Sequence, residues 1–251
     1  MKKIVEVKNL VKGFGRREYE TAVLKGISLD IYEKDFIAVM GPSGAGKSTL
    51  LNMLSTLDKP TRGQIMLDGN DVTRADNRLL SILRRDKIGF IFQEYNLLDN
   101  MTLQDNIALP LSLNGEKSQV ILEKVERMAE LFQLKPHLKK YPYQLSGGQK
   151  QRGASARALI TQPKIIFADE PTGALDSKSS KDLLTSLKLA NEEENATILM
   201  VTHDAYTASY AKQVYMLVDG QIQSRLNSKG DRKFFYEEIL QLLASMGGDR
   251  E

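Results

Sequence analysis

Cysteine is absent from the 251 residues, and histidine occurs only twice, at His137 and His203. The first absence excludes a disulfide scaffold, a thiolate metal site and a cysteine nucleophile. The second leaves no ligand set for a multi-histidine metal centre. No stretch approaches 18 uninterrupted apolar residues, the length a helix needs to cross a bilayer. Met1 to Glu6 lacks the apolar core of a signal peptide. A dominant charge is missing as well: 35 Lys and Arg against 32 Asp and Glu leave +3, with no basic stripe of the kind that grips nucleic acid. What is present is ordinary for a globular protein, 41% apolar and 27% charged, which excludes disorder and fibrous repeats. The length suits one large α/β domain or two small ones. Together these features predict a soluble, intracellular α/β protein.

Residues 4–10 alternate apolar and polar like a half-buried strand, and residues 23–31 read as a second. Residues 35–40 form an apolar run that ends in a glycine-rich turn at Gly41. After the turn, Leu50, Leu51, Leu54 and Leu57 fall at helical spacing within 47–57, and residues 88–93 read as a short strand. Residues 103–134 read as helical, with Val120, Leu122, Val125, Met128, Ala129, Leu131 and Phe132 at three- and four-residue intervals. Residues 165–168 and 197–201 are unbroken apolar runs, as in a parallel sheet covered on both faces. Residues 214–218 and 221–224 flank Asp219-Gly220 and predict a hairpin. The tail from Asn227 is polar, then amphipathic at Phe234, Phe235, Ile239, Leu240, Leu242 and Leu243. Phe234, Phe235 and Leu240 read as packing residues, His137 as solvated in a Lys/Pro-rich turn, and Glu192-Glu193-Glu194 as a solvated loop. There is no internal repeat. A helical middle between strand-bearing ends predicts a helical subdomain set inside an α/β core.

Gly41-Pro42-Ser43-Gly44-Ala45-Gly46-Lys47-Ser48 satisfies G-x-x-x-x-G-K-[ST] in full, with a strand expected before it and a helix after. Glycines let successive backbone N–H groups turn inward around phosphate oxygens, and the helix N-terminus adds its positive dipole end. Lys47 would reach the β- and γ-phosphates, and the Ser48 hydroxyl would ligate Mg²⁺. A second half-site is expected at the C-terminal end of a parallel strand. Ile165-Ile166-Phe167-Ala168-Asp169-Glu170 supplies it: Asp169 is suited to Mg²⁺, and Glu170 to polarising the attacking water. Leu145-Ser146-Gly147-Gly148-Gln149, placed before a helix, offers a separate set of N–H donors for an anion. One phosphate loop and one distant Ser-Gly-Gly site in a single chain suggest a head-to-tail dimer, with each ATP between Lys47 of one copy and Ser146 of the other.

At these residues the sequence resembles the ATP-binding cassette (ABC) ATPases, over nearly the whole chain. The resemblance implies a P-loop NTPase core with an N-terminal antiparallel β-subdomain and an inserted α-helical subdomain. The expected limits are a single ATPase domain over 1–226 (core 1–93 and 159–226, helical insert 94–158) and an amphipathic tail over 227–251. Gln93 fits the family's Gln-loop residue, binding Mg²⁺ and water, and His203 fits the switch histidine at the γ-phosphate. Ala174-Leu175-Asp176 fits the loop that crosses the dimer interface, where Asp176 also suits an N-cap. Phe14 lies where the family has an aromatic on adenine, commonly Tyr, and Tyr19 competes for that role. The remaining nucleotide contacts implied are Val23, Gly41 to Thr49, Ser146 to Gln149, and Asp176. Catalysis would rest on Glu170, His203 and Gln93, with Ser48, Gln93 and Asp169 at the metal.

With no membrane span, the cassette is expected to couple to a separate permease through the segment after Gln93. The long turn 15–22 is similar to the group of lipoprotein-release, macrolide-efflux and cell-division cassettes. Within that group, Phe90 to Asp99, Ser146 to Arg152, Phe167 to Lys178 and the tail are similar to the peptide-antibiotic resistance branch. That resemblance implies a ten-span permease with a large extracellular domain, a sensor histidine kinase beside it, and a place on the cytoplasmic face of the membrane. The alternative it leaves open is a mechanotransmission complex for cell division or lipoprotein release.

Overall fold

The computed structural model describes residues 2–15 and 21–247. Tyr19 and most of the 15–22 turn lie outside the described residues. The alternation read at 4–10 is the centre of β1 (Lys3–Phe14), which pairs antiparallel with β2 (Thr21–Tyr32). The apolar run becomes β3 (Phe36–Met40), buried at every residue, and the glycine-rich turn leads into α1 (Lys47–Leu54). This helix ends earlier than its leucine spacing suggests. Thr56 takes a left-handed φ of 64° beyond the Ser55 cap, and Leu57 is left half exposed.

Sequence periodicity did not anticipate the next two strands, β4 (Arg62–Leu67) and β5 (Asn70–Asp71). Asp68 and Gly69 join them with φ of 43° and 81°, the two positive dihedrals of a tight hairpin turn. α2 (Asn77–Asp86) follows, N-capped by the Asp76 carboxylate, and then β6 (Ile88–Ile91). The stretch expected to be helical over 103–134 is two helices, α3 (Leu103–Leu113) and α4 (Ser118–Leu131). Gly115 at φ 75° provides the left-handed step that ends the first, and the Thr102–Asp105 capping box starts it. Leu122 lies on the exposed side of α4.

The chain continues through α5 (Gly147–Leu159), β7 (Ile165–Asp169), α6 (Ser177–Glu193) and β8 (Ile198–Val201). Glu192 and Glu193 are the exposed last turn of α6. Glu194 caps that helix and pairs with Arg127 at 2.6 Å, so the run is not a solvated loop. α7 (Ala205–Ala208), β9 (Gln213–Val218), β10 (Gln221–Asn227) and α8 (Arg232–Gly247) complete the chain. Asp219 and Gly220 turn β9 into β10 as expected, with φ of 49° and 78°.

The described residues divide into two units, one running to Thr73 and resuming at Leu199, the other Arg74–Ile198. The first holds an antiparallel sheet in the order β2-β1-β4-β5 and a second array in the order β10-β9-β3-β8, in which β3 runs parallel to β9. The second unit holds the parallel pair β6 and β7 with α2 to α6, and residues 94–158 lie within it. The tail helix α8 belongs to the first unit. Phe235 and Ile239, one turn apart, are fully buried and stabilise its docking by about 1.5–3 kcal/mol each. Phe234 and Leu240 flank that face and are exposed, contrary to their reading as packing residues.

Candidate active site

The first unit carries the phosphate loop. Gly41 has φ 155°, and a Cβ there would stand 2.0 Å from the Leu217 carbonyl oxygen, so no other residue fits. Gly46, at φ 101°, is the N-cap of α1, and a Cβ on it would lie 2.8 Å from Leu24 Cδ2 and 3.2 Å from Val23 Cγ1. Val23 is thereby brought against the loop. The hairpin turn holds it from the other side: Gly220 N–H donates to Ala45 O at 3.2 Å, and Lys25 N–H donates to Gly220 O at 2.9 Å. No side chain caps the N-terminus of α1, whose first N–H groups and dipole face the loop. The Lys47 ammonium lies across it, donating to Gly41 O at 2.8 Å and Pro42 O at 3.0 Å. Pro42, Ser43, Gly44 and Ser48 are exposed around it, and Thr49 is half-buried.

Phe14, at the end of β1, is half exposed with the Lys12 ammonium 4.9 Å from its ring centre. A ring offering its face to a cation and to solvent can also stack on a planar base. His203 is exposed just beyond β8. Its backbone is tied on both sides: Thr202 N–H donates to Val39 O at 3.1 Å, and Asp204 N–H donates to Thr202 Oγ1 at 3.1 Å.

The second unit carries the carboxylates. β7 is buried up to Ala168 and delivers half-buried Asp169 and Glu170 at its C-terminal end. Glu170 has φ 42°, a left-handed conformation that costs a non-glycine L-residue about 1–3 kcal/mol and that clusters at functional sites. Two consecutive turns follow, Gly173 N–H to Glu170 O at 2.9 Å and Leu175 N–H to Thr172 O at 3.0 Å. They bring the exposed Asp176 to the N-cap of α6, where it accepts from Ser179 N–H at 2.9 Å and Ser179 Oγ at 2.7 Å. Those hydrogen bonds hold its carboxyl below the usual range.

Gln93 follows β6 and is exposed, with Nε2 only 3.2 Å from where a Cβ on Gly173 would stand. The structure therefore brings Gln93 against the turn that begins at Glu170. A residue that sequence reasoning missed joins the two. Gln151, fully buried in α5, donates from Nε2 to Phe92 O at 3.0 Å and Pro171 O at 2.9 Å. It therefore fixes the residue before Gln93 and the residue after Glu170. A glutamine followed along α5 by a run of small residues, Gly153 to Ala156, was the available signal.

α5 also begins at the Ser-Gly-Gly motif. Ser146 is its N-cap: Oγ accepts from Gln149 N–H at 3.3 Å, and Gln149 Oε1 accepts from Ser146 N–H at 2.9 Å. A Cβ on Gly147 would stand 2.9 Å from Tyr95 Oη, and one on Gly148 would stand 2.5 Å from Ser179 Oγ. From the far end of the helix, Arg157 donates to Asn96 O at 2.6 Å and Tyr95 O at 3.2 Å, and burial pulls its guanidinium below its ordinary value. Tyr95 and Asn96 are both left-handed, at φ 46° and 50°. The segment after Gln93 is thus clamped to the same helix that presents Ser146, Gly147 and Gly148.

His137 is not solvated. It is half-buried, its Nδ1 is fully buried without a hydrogen-bond partner among the described residues, and its Nε2 lies 3.1 Å from Gln149 Nε2. The capping box commits Gln149 Oε1 to Ser146, so the amide NH₂ faces the ring and Nε2 is the acceptor. Protonation would set donor against donor. Burial lowers the imidazole pKa, and the charges of Lys140 and Arg152 add to the effect. A group whose folded pKa is depressed contributes stability present above its unfolded pKa and lost as pH falls through the folded value. Acidification below the ordinary imidazole value of 6.5 should therefore destabilise the protein through this residue. His137→Gln should lose less of its melting temperature than wild type between about pH 7.5 and about pH 5.5. Parallel losses in the two proteins would remove His137 from this role.

Taken by class, these features are those of a P-loop nucleoside triphosphatase that carries a second, Ser-Gly-Gly helix N-terminus. The ABC transporter family profile matches residues 24–173. The chain is 46% identical to the bacitracin export ATP-binding protein BceA of Halalkalibacterium halodurans over 98% of this chain and 97% of that one. It is 43% identical to the macrolide export ATP-binding/permease protein MacB of Syntrophobacter fumaroxidans, over 91% of this chain and 32% of that protein. Among solved structures it is similar to a dimeric, post-hydrolysis state of the ATP-binding cassette MJ0796 bound to ADP and Pi. That match has TM-score 0.81 and 38% identity over 91% of this chain and 100% of the other. The chain belongs to the ABC transporter family, as an ATP-binding subunit that hydrolyses ATP.

Proposed function

We propose that this chain is the ATPase of a bacterial transporter conferring resistance to peptide antibiotics, and that it drives a separate permease by ATP-dependent closure of a head-to-tail dimer. The observation that carries the reading is the match to a bacitracin export ATP-binding protein along essentially the full length of both chains. In each of two sites, Lys47 and the N–H groups of Gly44 and Gly46 hold the phosphates, and Ser146 and Gly148 of the second copy complete the cradle. Phe14 and Val23 flank the base, His203 meets the γ-phosphate, and Asp176 crosses the interface.

Ser48, Asp169 and Gln93 offer the hard oxygen donors that Mg²⁺ prefers. Bound there, Mg²⁺ would neutralise charge on the β- and γ-oxygens. Glu170 accepts a proton from, or orients, the attacking water. The γ-phosphate supplies the differential binding that favours the closed dimer, and its loss reopens it. Glu94 to Leu98, clamped by Arg157, pass the motion of the helical segment 94–158 to the permease at the cytoplasmic face of the membrane. No helix among the described residues is long and apolar enough to cross a membrane, which is why the reading places the span in a partner.

A membrane pull-down tests this. Tagged Glu170→Gln is captured from detergent-solubilised membranes with ATP present, and bound proteins are identified by mass spectrometry. A ten-span permease with a large extracellular domain is expected, and a co-eluting sensor histidine kinase would strengthen the reading. A four-span permease would move the assignment to lipoprotein release or cell division. Absence of any membrane partner would overturn it.

A further inference from the structure

The tail helix α8 reaches the segment that carries His203. The Arg232 guanidinium lies over two tyrosine rings of that segment, 5.1 Å from the centre of Tyr206 and 4.7 Å from that of Tyr210, and donates to Ser209 Oγ at 3.3 Å. Ser209 Oγ in turn donates to Tyr206 O at 2.7 Å, and the Tyr206 and Tyr210 hydroxyls lie 3.1 Å apart. One turn further along α8, Tyr236 meets the edge of Tyr206 at 6.5 Å, with the planes at 78°.

α7 is only four residues long, too short to hold its own direction in water. Its front end is fixed by Asp204, whose carboxylate accepts from Tyr206 N–H, Thr207 N–H and Thr207 Oγ1 at 3.1, 3.0 and 2.6 Å. Its back end, where Ala208, Ser209 and Tyr210 are buried, is held in addition by Arg232. His203 is the residue immediately before the Asp204 cap, so a tilt of α7 displaces the His203 backbone directly. The flanking anchor, Asp204 N–H to Thr202 Oγ1, ties the Asp204 cap to the residue before His203, so the cap and the His203 backbone move together.

From this geometry we infer that Arg232 is a positioning residue for ATP hydrolysis, and that the tail serves to hold the His203 segment in place. The inference rests on the reading of His203 as the γ-phosphate contact. Arg232 touches neither nucleotide nor the phosphate loop. It acts on turnover through His203, and leaves ATP capture to Lys47 and the backbone of the loop.

Steady-state ATP hydrolysis and thermal melting are measured together on the full chain. Arg232→Met, which keeps the aliphatic stem, should lower kcat about fivefold with KM for ATP within about twofold, the scale of a partly desolvated cation–π clamp. Arg232→Lys restores the cation without the planar stacking face and should recover part of kcat. Phe234→Ser, on the exposed side of α8, should leave both parameters as in wild type. Phe235→Ala reports loss of tail packing, with a lower melting temperature. Unchanged kcat in Arg232→Met overturns the inference, as does a fall in kcat that tracks melting temperature as in Phe235→Ala. His203→Ala separates the two levels. If it hydrolyses ATP normally, the reading of His203 fails and takes the inference with it. If it is inactive while Arg232→Met is normal, only the inference fails.

Discussion

Glu170→Gln should lower ATP turnover by about a hundredfold or more, the scale of a lost general base, while ATP affinity stays within about twofold of wild type. The amide keeps the shape of the side chain and removes the charge and basicity. Glu170 sits at the end of a buried strand in a left-handed conformation, and its carbonyl anchors the turn through Gly173 N–H. Because that anchor is backbone, the substitution leaves the turn intact and isolates the chemistry. With hydrolysis blocked, the γ-phosphate persists and the closed dimer accumulates, visible by gel filtration with ATP. A variant that remained monomeric with ATP and hydrolysed normally would be incompatible with the assignment.

The second large effect is expected at Lys47. Its ammonium is held over the phosphate loop by Gly41 O and Pro42 O, so it is positioned before nucleotide arrives. Lys47→Ala removes charge-assisted hydrogen bonds worth about 1.5–3 kcal/mol each, and ATP affinity should fall by roughly a hundredfold. Stability without nucleotide should change little, since the side chain is only half-buried at the loop surface. The melting shift that ATP produces should disappear at concentrations that stabilise wild type by about 2–3 kcal/mol. Unchanged ATP affinity by calorimetry would count against the phosphate-loop reading.

The most legible parts of the protein are those whose meaning is local. A strand, a glycine-rich turn and a helix in that order announce β3, the loop and α1, because Gly41 and Gly46 occupy backbone positions that exclude a side chain. The apolar run into Asp169-Glu170 announces β7, and Ser-Gly-Gly before a helix announces the start of α5. Asp219-Gly220 gives away its hairpin for the same reason. The equivalent signal at Asp68-Gly69 was present and unread, because only short apolar runs flank it and β5 is two residues long.

Other features depend on partners distant in sequence. The split at Gly115 interrupts a helical periodicity that continues smoothly across it, so spacing alone merges α3 and α4. His137 lies in a turn whose composition suggests solvent, and only the packing beside Gln149 buries it. In α8 the apolar positions 234, 235, 239 and 240 form too wide a stripe to say which pair faces inward, and packing selects Phe235 and Ile239. The roles of Gln151, Arg157 and Arg232 were invisible because each works by reaching a backbone carbonyl, a hydroxyl or a ring in another element.

The central claim is that each nucleotide site is built from two copies, the loop of one and the Ser146 helix terminus of the other. Mixing two inactive proteins tests it most directly. Lys47→Ala disables the loop half, and Ser146→Arg fills the helix-terminus half with a bulky side chain. In a head-to-tail heterodimer both lesions fall in one site, and the other site has an intact loop and an intact helix terminus. The account predicts that the mixture hydrolyses ATP although neither protein does so alone. A mixture as inactive as its components would mean that each chain completes its own site, and would contradict the account.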